Sequence, residues 1–157
     1  MVMARLTTFE QLNETMSQLH DCSMDLDKAV FDRAAHEWRG TFLRPLWESP
    51  AAIHERRALI IVDSRMPVAE GILCFRHVTD VRVLNDQRIG IYTLNKAKRR
   101  AGGLCLCFNE ALELEILFED ILDATYDERP LPGYTAVYRQ YLFAQTGPEI
   151  EFARPAP

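Results

Sequence analysis

Apolar positions along this chain change their spacing several times, and each change marks an element. Phe9, Leu12, Met16 and Leu19 recur at helical intervals behind the capping-box pair Thr8 and Gln11, which predicts an amphipathic helix over residues 8–19. Cys22, Met24 and Leu26 then alternate with Ser23, Asp25 and Asp27, the pattern of a half-buried strand running on to Phe31. Residues 32–35 predict a turn. Beyond it Trp38, Gly40 and Phe42 share one parity and Glu37, Arg39 and Thr41 the other, which predicts a returning antiparallel strand ended by Pro45. The stretch 45–52, with two prolines and Trp47, predicts an irregular crossing into the compact apolar run 58–62, a central buried strand interrupted by residues 64–67.

Short strands follow at residues 71–76, 81–84, 89–94, 104–108 and 112–118, with turn signals at Asn85-Asp86 and at residues 101–103. Between Glu110 and Tyr126 two periods coexist. Leu112, Leu114, Ile116 and Phe118 alternate with glutamates, while Leu114, Leu117, Phe118, Ile121 and Leu122 fit a helix. The short Asn109-Glu110 link to the preceding strand favours a hairpin, so a strand is predicted here. After residues 130–133, Tyr134, Val137, Tyr138, Tyr141 and Leu142 fall at helical spacing before Gly147 and Pro148, which predicts a closing amphipathic helix and a loose tail at 149–157. The expectation is one α+β domain over residues 1–148. Its mainly antiparallel sheet would have seven or eight short strands, barrel-like or in two layers, with an amphipathic helix from each end of the chain packed on it.

Composition agrees with a self-sufficient core, since 48% of the 157 residues are apolar and 26% charged. Eighteen basic residues face 23 acidic ones, and the net charge of −5 opposes non-specific attraction to nucleic acid or anionic lipid. No apolar run approaches the roughly 20 residues of a membrane-spanning helix. No secretory signal core follows Met1, so a cytoplasmic protein is expected, with no membrane and no nucleic acid among its partners. The four cysteines lie in apolar or strand-like stretches, which predicts buried thiols and no disulfides.

Candidate chemistry is sparse. His20, Asp21 and Cys22 stand together where the helix gives way to a strand, and a His–Asp acid–base pair or a Cys–His nucleophile pair is chemically conceivable there; equally, Asp21 turns the chain, His20 packs on the helix end and Cys22 joins the core. His20-x-Cys22 with Cys105-x-Cys107 has zinc-ligand chemistry, but alternation in strands departs from the usual knuckle spacing, so neither metal nor cofactor is expected. Lys96, Lys98, Arg99 and Arg100 form the basic cluster, placed by the Gly-Gly signal at a hairpin tip. Eight carboxylates follow between Glu110 and Glu128, Glu113 and Glu115 among them. Charge therefore changes sign within one hairpin, either as a solvated polar face or as half of a complementary contact. Tyr138 centres a tyrosine stripe on the predicted last helix, a cover for the sheet or an exposed binding face.

Leu19-His20-Asp21-Cys22, followed by a strand ending in an aromatic residue and Asp32 and by a string of short strands, resembles small uncharacterised bacterial proteins that open with a Leu-His-Asp step, some of them immunity-type. The long Pro- and Trp-containing connection 45–55 departs from that pattern. The resemblance implies a non-catalytic bacterial protein and transfers no site. The leading expectation is thus a protein-binding module that uses Lys96, Lys98, Arg99, Arg100, Glu113, Glu115 and Tyr138 to hold another protein or a second copy of itself. The alternative is a small hydrolase-like enzyme in which His20 and Asp21 work with a carboxylate from a distant strand.

Overall fold

The computed structural model describes residues 2–119, 121–141 and 143–152. The elements begin with β1 (Val2–Leu6), α1 (Phe9–Leu19), β2 (Ser23–Asp25), β3 (Val30–Asp32), β4 (Glu37–Pro45), β5 (Ile53–Ala58) and β6 (Ile61–Arg76). They continue with β7 (Val78–Leu84), β8 (Ile91–Arg100), β9 (Gly103–Phe108), β10 (Glu113–Phe118), β11 (Ala124–Gln140) and β12 (Gln145–Phe152). Twelve strands and one α-helix among the described residues correct the α+β expectation of two amphipathic helices and seven or eight strands: this is mostly antiparallel sheet with a single helix.

The chain divides into two compact units, one built from the residues up to Leu43 with Gly71–Glu128, the other from Arg44–Glu70 with the residues from Arg129 onward. In the first unit the strand order is β1, residues 124–128 of β11, residues 71–76 of β6, β4, β2, β8, β9, β10 and β7, with β3 paired to β4. The helix forms where the capping box predicts it. Gln11 N donates to Thr8 Oγ1 at 3.2 Å and Thr8 N donates back to Gln11 Oε1 at 3.2 Å, satisfying two backbone donors that the first turn would leave free. Leu12, Met16 and Leu19 form its buried stripe and join one apolar cluster with Trp38, Phe42, Phe75, Tyr92, Leu104 and Leu114. Within that cluster the Tyr92 hydroxyl donates to Asp86, and the carboxyl of Asp86 is held below its usual range chiefly by this bond.

In the second unit β5, residues 61–70 of β6, residues 129–140 of β11 and β12 lie side by side. Arg129 Nε donates to Glu70 Oε1 at 2.9 Å and Arg139 Nε to Asp63 Oδ1 at 2.8 Å, so β6 and β11 run in opposite directions.

Several elements differ from the sequence expectation: the strand expected to run from Cys22 to Phe31 is broken by a 3-10 turn at Leu26–Lys28 between β2 and β3, where Asp25 accepts from Asp27 N at 3.1 Å. Residues 134–140 are strand: Ala136 and Tyr138 are buried, Thr135 and Val137 are half-buried, and β12 pairs with this stretch from Tyr134 to Gln140. Aromatic and β-branched residues fit a pleated surface, and the partner strand supplies the backbone hydrogen bonds a helix would have made internally. Residues 149–152 of the expected tail belong to β12, and 153–157 lie outside the described residues. The run 58–62 is not a buried strand but a hairpin tip: Ala58 pairs with Ile61, leaving Leu59 88% and Ile60 50% exposed. Residues 64–67, expected as an interruption, continue β6. The strand expected within 110–126 is present as β10.

Candidate functional site

His20 and Asp21 make the reversal that carries the chain from α1 into β2. Asp21 takes a left-handed backbone (φ 64°), which a short polar residue tolerates better than most, and its N–H donates to Leu94 O at 2.8 Å. His20 Nδ1 lies 2.8 Å from Asn95 O and Nε2 lies 3.5 Å from Asp21 Oδ2, with both side chains exposed. His20 lines a cavity of about 350 Å³ with Asn13, Met16, Ser17, Asn95 and Lys96. Among the described residues its one hydroxyl, on Ser17, donates to Asn13 O at 2.9 Å, and no carboxylate lines it. The arrangement closes a turn, with the His20 ring held between Asn95 O and the Asp21 carboxylate.

The basic and acidic residues are arranged differently. Lys96, Lys98 and Arg100 belong to β8 itself, not to a hairpin tip, and the tip is Ala101-Gly102. Strand register places Lys96 opposite Cys107, Cys107 opposite Glu113, and Glu113 opposite Leu84. The next row on the same face runs Lys98, Cys105, Glu115, Arg82, and the next Arg100, Gly103, Leu117, Asp80. Directly opposed residues in a ladder point to one side of the sheet. That face thus carries a basic stripe along β8, a thiol stripe along β9 and an acidic stripe along β10. Arg99 belongs to the other side, its guanidinium stacked 5.4 Å from the ring centroid of Phe9 in α1.

Among the described residues, Lys96, Lys98, Arg100 and Glu113 make no ion pair within 4.0 Å, and Glu115 has one, to Arg82 at 3.9 Å. Cys105 and Cys107 are buried with their Sγ atoms 3.8 Å apart, and the Glu113 carboxylate completes a group whose ligand atoms all lie within 4.8 Å of one another. Burial, then the neighbouring Cys107 and Glu113, push the Cys105 thiol up to about 12, against a smaller opposite pull from Arg100. All four cysteines are buried thiols outside any disulfide. Cys22 belongs to the apolar core cluster, so the His20-x-Cys22 half of the considered zinc set does not meet the Cys105-x-Cys107 half.

Tyr138 is not part of this face or of an exposed stripe. It is 7% exposed in the second unit, its ring centroid 4.3 Å from that of Trp47. Sequence reasoning also missed the second unit's apolar end. Because β6 and β11 are antiparallel, the β5–β6 tip and the β11–β12 tip project at one end, with Leu59 88%, Phe143 95% and Tyr141 36% exposed. Among the described residues, no helix is long and apolar enough to cross a membrane. None of the family models, curated proteins or solved structures compared with this chain matches it.

Proposed function

We propose that this protein is a non-catalytic binding module that pairs with a second copy of itself through the β8–β9–β10–β7 face. The observation that carries the reading is the pair of opposite stripes, Lys96, Lys98 and Arg100 on β8 against Glu113 and Glu115 on β10, two strands apart and almost without internal ion pairs. Adjacent strands are about 4.8 Å apart, so the stripes are separated by roughly 10 Å. A half-turn about an axis parallel to the strands, running over β9, sets the basic stripe of each copy on the acidic stripe of the other. Such a contact is isologous and closes at two chains. Its charges select partner and register more than they supply affinity.

The test is a charge swap read by sedimentation velocity with a chelator present. The wild type is expected to sediment as a dimer. Lys96→Glu with Lys98→Glu makes both stripes acidic, Glu113→Lys with Glu115→Lys makes both basic, and each double variant is expected to be monomeric. Mixed one to one, they are complementary again and the dimer is expected to return. A monomeric wild type, or dimers that persist in each variant alone, would overturn the reading.

A further inference from the structure

We propose that Cys105, Cys107 and Glu113 form a binding site for a thiophilic divalent cation of the zinc type. The three groups come from two neighbouring strands in fixed register: Cys105 and Cys107 are two residues apart on one face of β9, and Glu113 stands opposite Cys107 on β10. Their ligand atoms already converge within 4.8 Å, with no turn or loop needed to bring them together. The sulfur spacing matches the metal. Zinc–thiolate bonds of about 2.3 Å at a tetrahedral angle place two sulfurs about 3.8 Å apart, and Sγ–Sγ here is 3.8 Å.

The donor set has the right chemistry as well. Two thiolates and a carboxylate suit Zn²⁺ and disfavour Ca²⁺ or Mg²⁺, which take oxygen ligands. Binding exchanges two thiol protons for one cation, so two S–H bonds break, two S–metal bonds form and two protons go to solvent. Lys96, Lys98 and Arg100 on the adjoining strand then offset the surplus negative charge of two thiolates and one carboxylate around a dication. Three ligands leave the fourth tetrahedral position to water. The site needs one chain only, so it stands or falls separately from self-association.

The experiment uses Co²⁺ as the probe on the full, reduced chain, followed by Zn²⁺ back-titration. One equivalent of Co²⁺ is expected to give the near-ultraviolet thiolate charge-transfer band and the strong visible bands of a tetrahedral ion, and Zn²⁺ to bleach both. Cys105→Ser and Cys107→Ser should each abolish the charge-transfer band at unchanged far-ultraviolet circular dichroism. Glu113→Gln should keep the band and weaken apparent affinity by more than about tenfold, since losing even a group that only supports a ligand costs that much. Cys22→Ser and Cys74→Ser, which alter the other two thiols, should leave the titration as it is. An absent band, a weak octahedral spectrum, or a band that survives the Cys105 and Cys107 variants would overturn the proposal.

Discussion

Asp63 shows how much one side chain can settle in a sheet that is exposed at its edges. It is 7% exposed and holds two guanidinium groups, Arg139 at 2.8 Å and Arg57 at 3.3 Å. The hydrogen bond from Arg139 is the main reason its carboxyl is held below the ordinary range, and Asp63 in turn raises the Arg139 guanidinium. A carboxylate with a depressed folded-state pKa stabilises fully above its unfolded value of about 3.9, and that contribution disappears as pH falls through the lower folded value. Asp63→Asn is therefore expected to lower the urea midpoint at pH 7, with the gap to wild type narrowing below about pH 4. A gap that stays constant with pH would mean that packing, not charge, is what the substitution removes. Residue-scale chemistry at His20 was only half legible in the sequence. Adjacency of His20, Asp21 and Cys22 is visible there, whereas the left-handed turn at Asp21 and the bond to Asn95 O depend on β8, some 75 residues away.

Strands are brought close by what their neighbours lack. Gly103 on β9 stands opposite Leu117 on β10, and a β-carbon there would overlap the Ile116 carbonyl oxygen and stand 2.9 Å from Leu117 Cα. Backbone cannot yield as a flexible side chain does, so Gly103→Ala is expected to cost about 1–3 kcal/mol of stability, the range for overpacking. A urea midpoint unchanged from wild type would show that the two strands part freely. The opening helix was legible because its cap and its apolar stripe are both local, Thr8 with Gln11 and Leu12, Met16 and Leu19. The last strand was not. Tyr134, Val137, Tyr138 and Tyr141 satisfy a helical period as well as a strand, and the choice belongs to β12, which supplies the backbone partners from outside the segment. The apolar run 58–62 misled for a related reason. Periodicity reports that residues are apolar, and the turn between β5 and β6 decides that Leu59 and Ile60 face outward.

For the whole molecule, net charge says little and its placement says more. The balance of −5 opposes association in general, yet the β8 and β10 stripes concentrate opposite charge on one face. Screening lengths of about 10 Å at 0.1 M and about 3 Å at 1 M salt make a contact of exposed charges strongly salt-dependent. The proposed dimer is thus expected to dissociate between these two salt concentrations in light scattering. A mass that rises with salt would point instead to the apolar tips at Leu59, Ile60 and Phe143 as the contact.

Some of this was determined by sequence alone: the helix and its cap, the hairpin of β3 and β4, the strands β9 and β10, and the sign change between Lys96 and Glu115. These rest on neighbours within a few residues, where periodicity and capping chemistry act directly. Tertiary structure decided the rest. Whether residues 134–140 coil or extend depends on a partner strand. Whether Lys98, Cys105 and Glu115 share a row depends on ladder register, which pairs residues distant in sequence through backbone hydrogen bonds and leaves no local trace in composition.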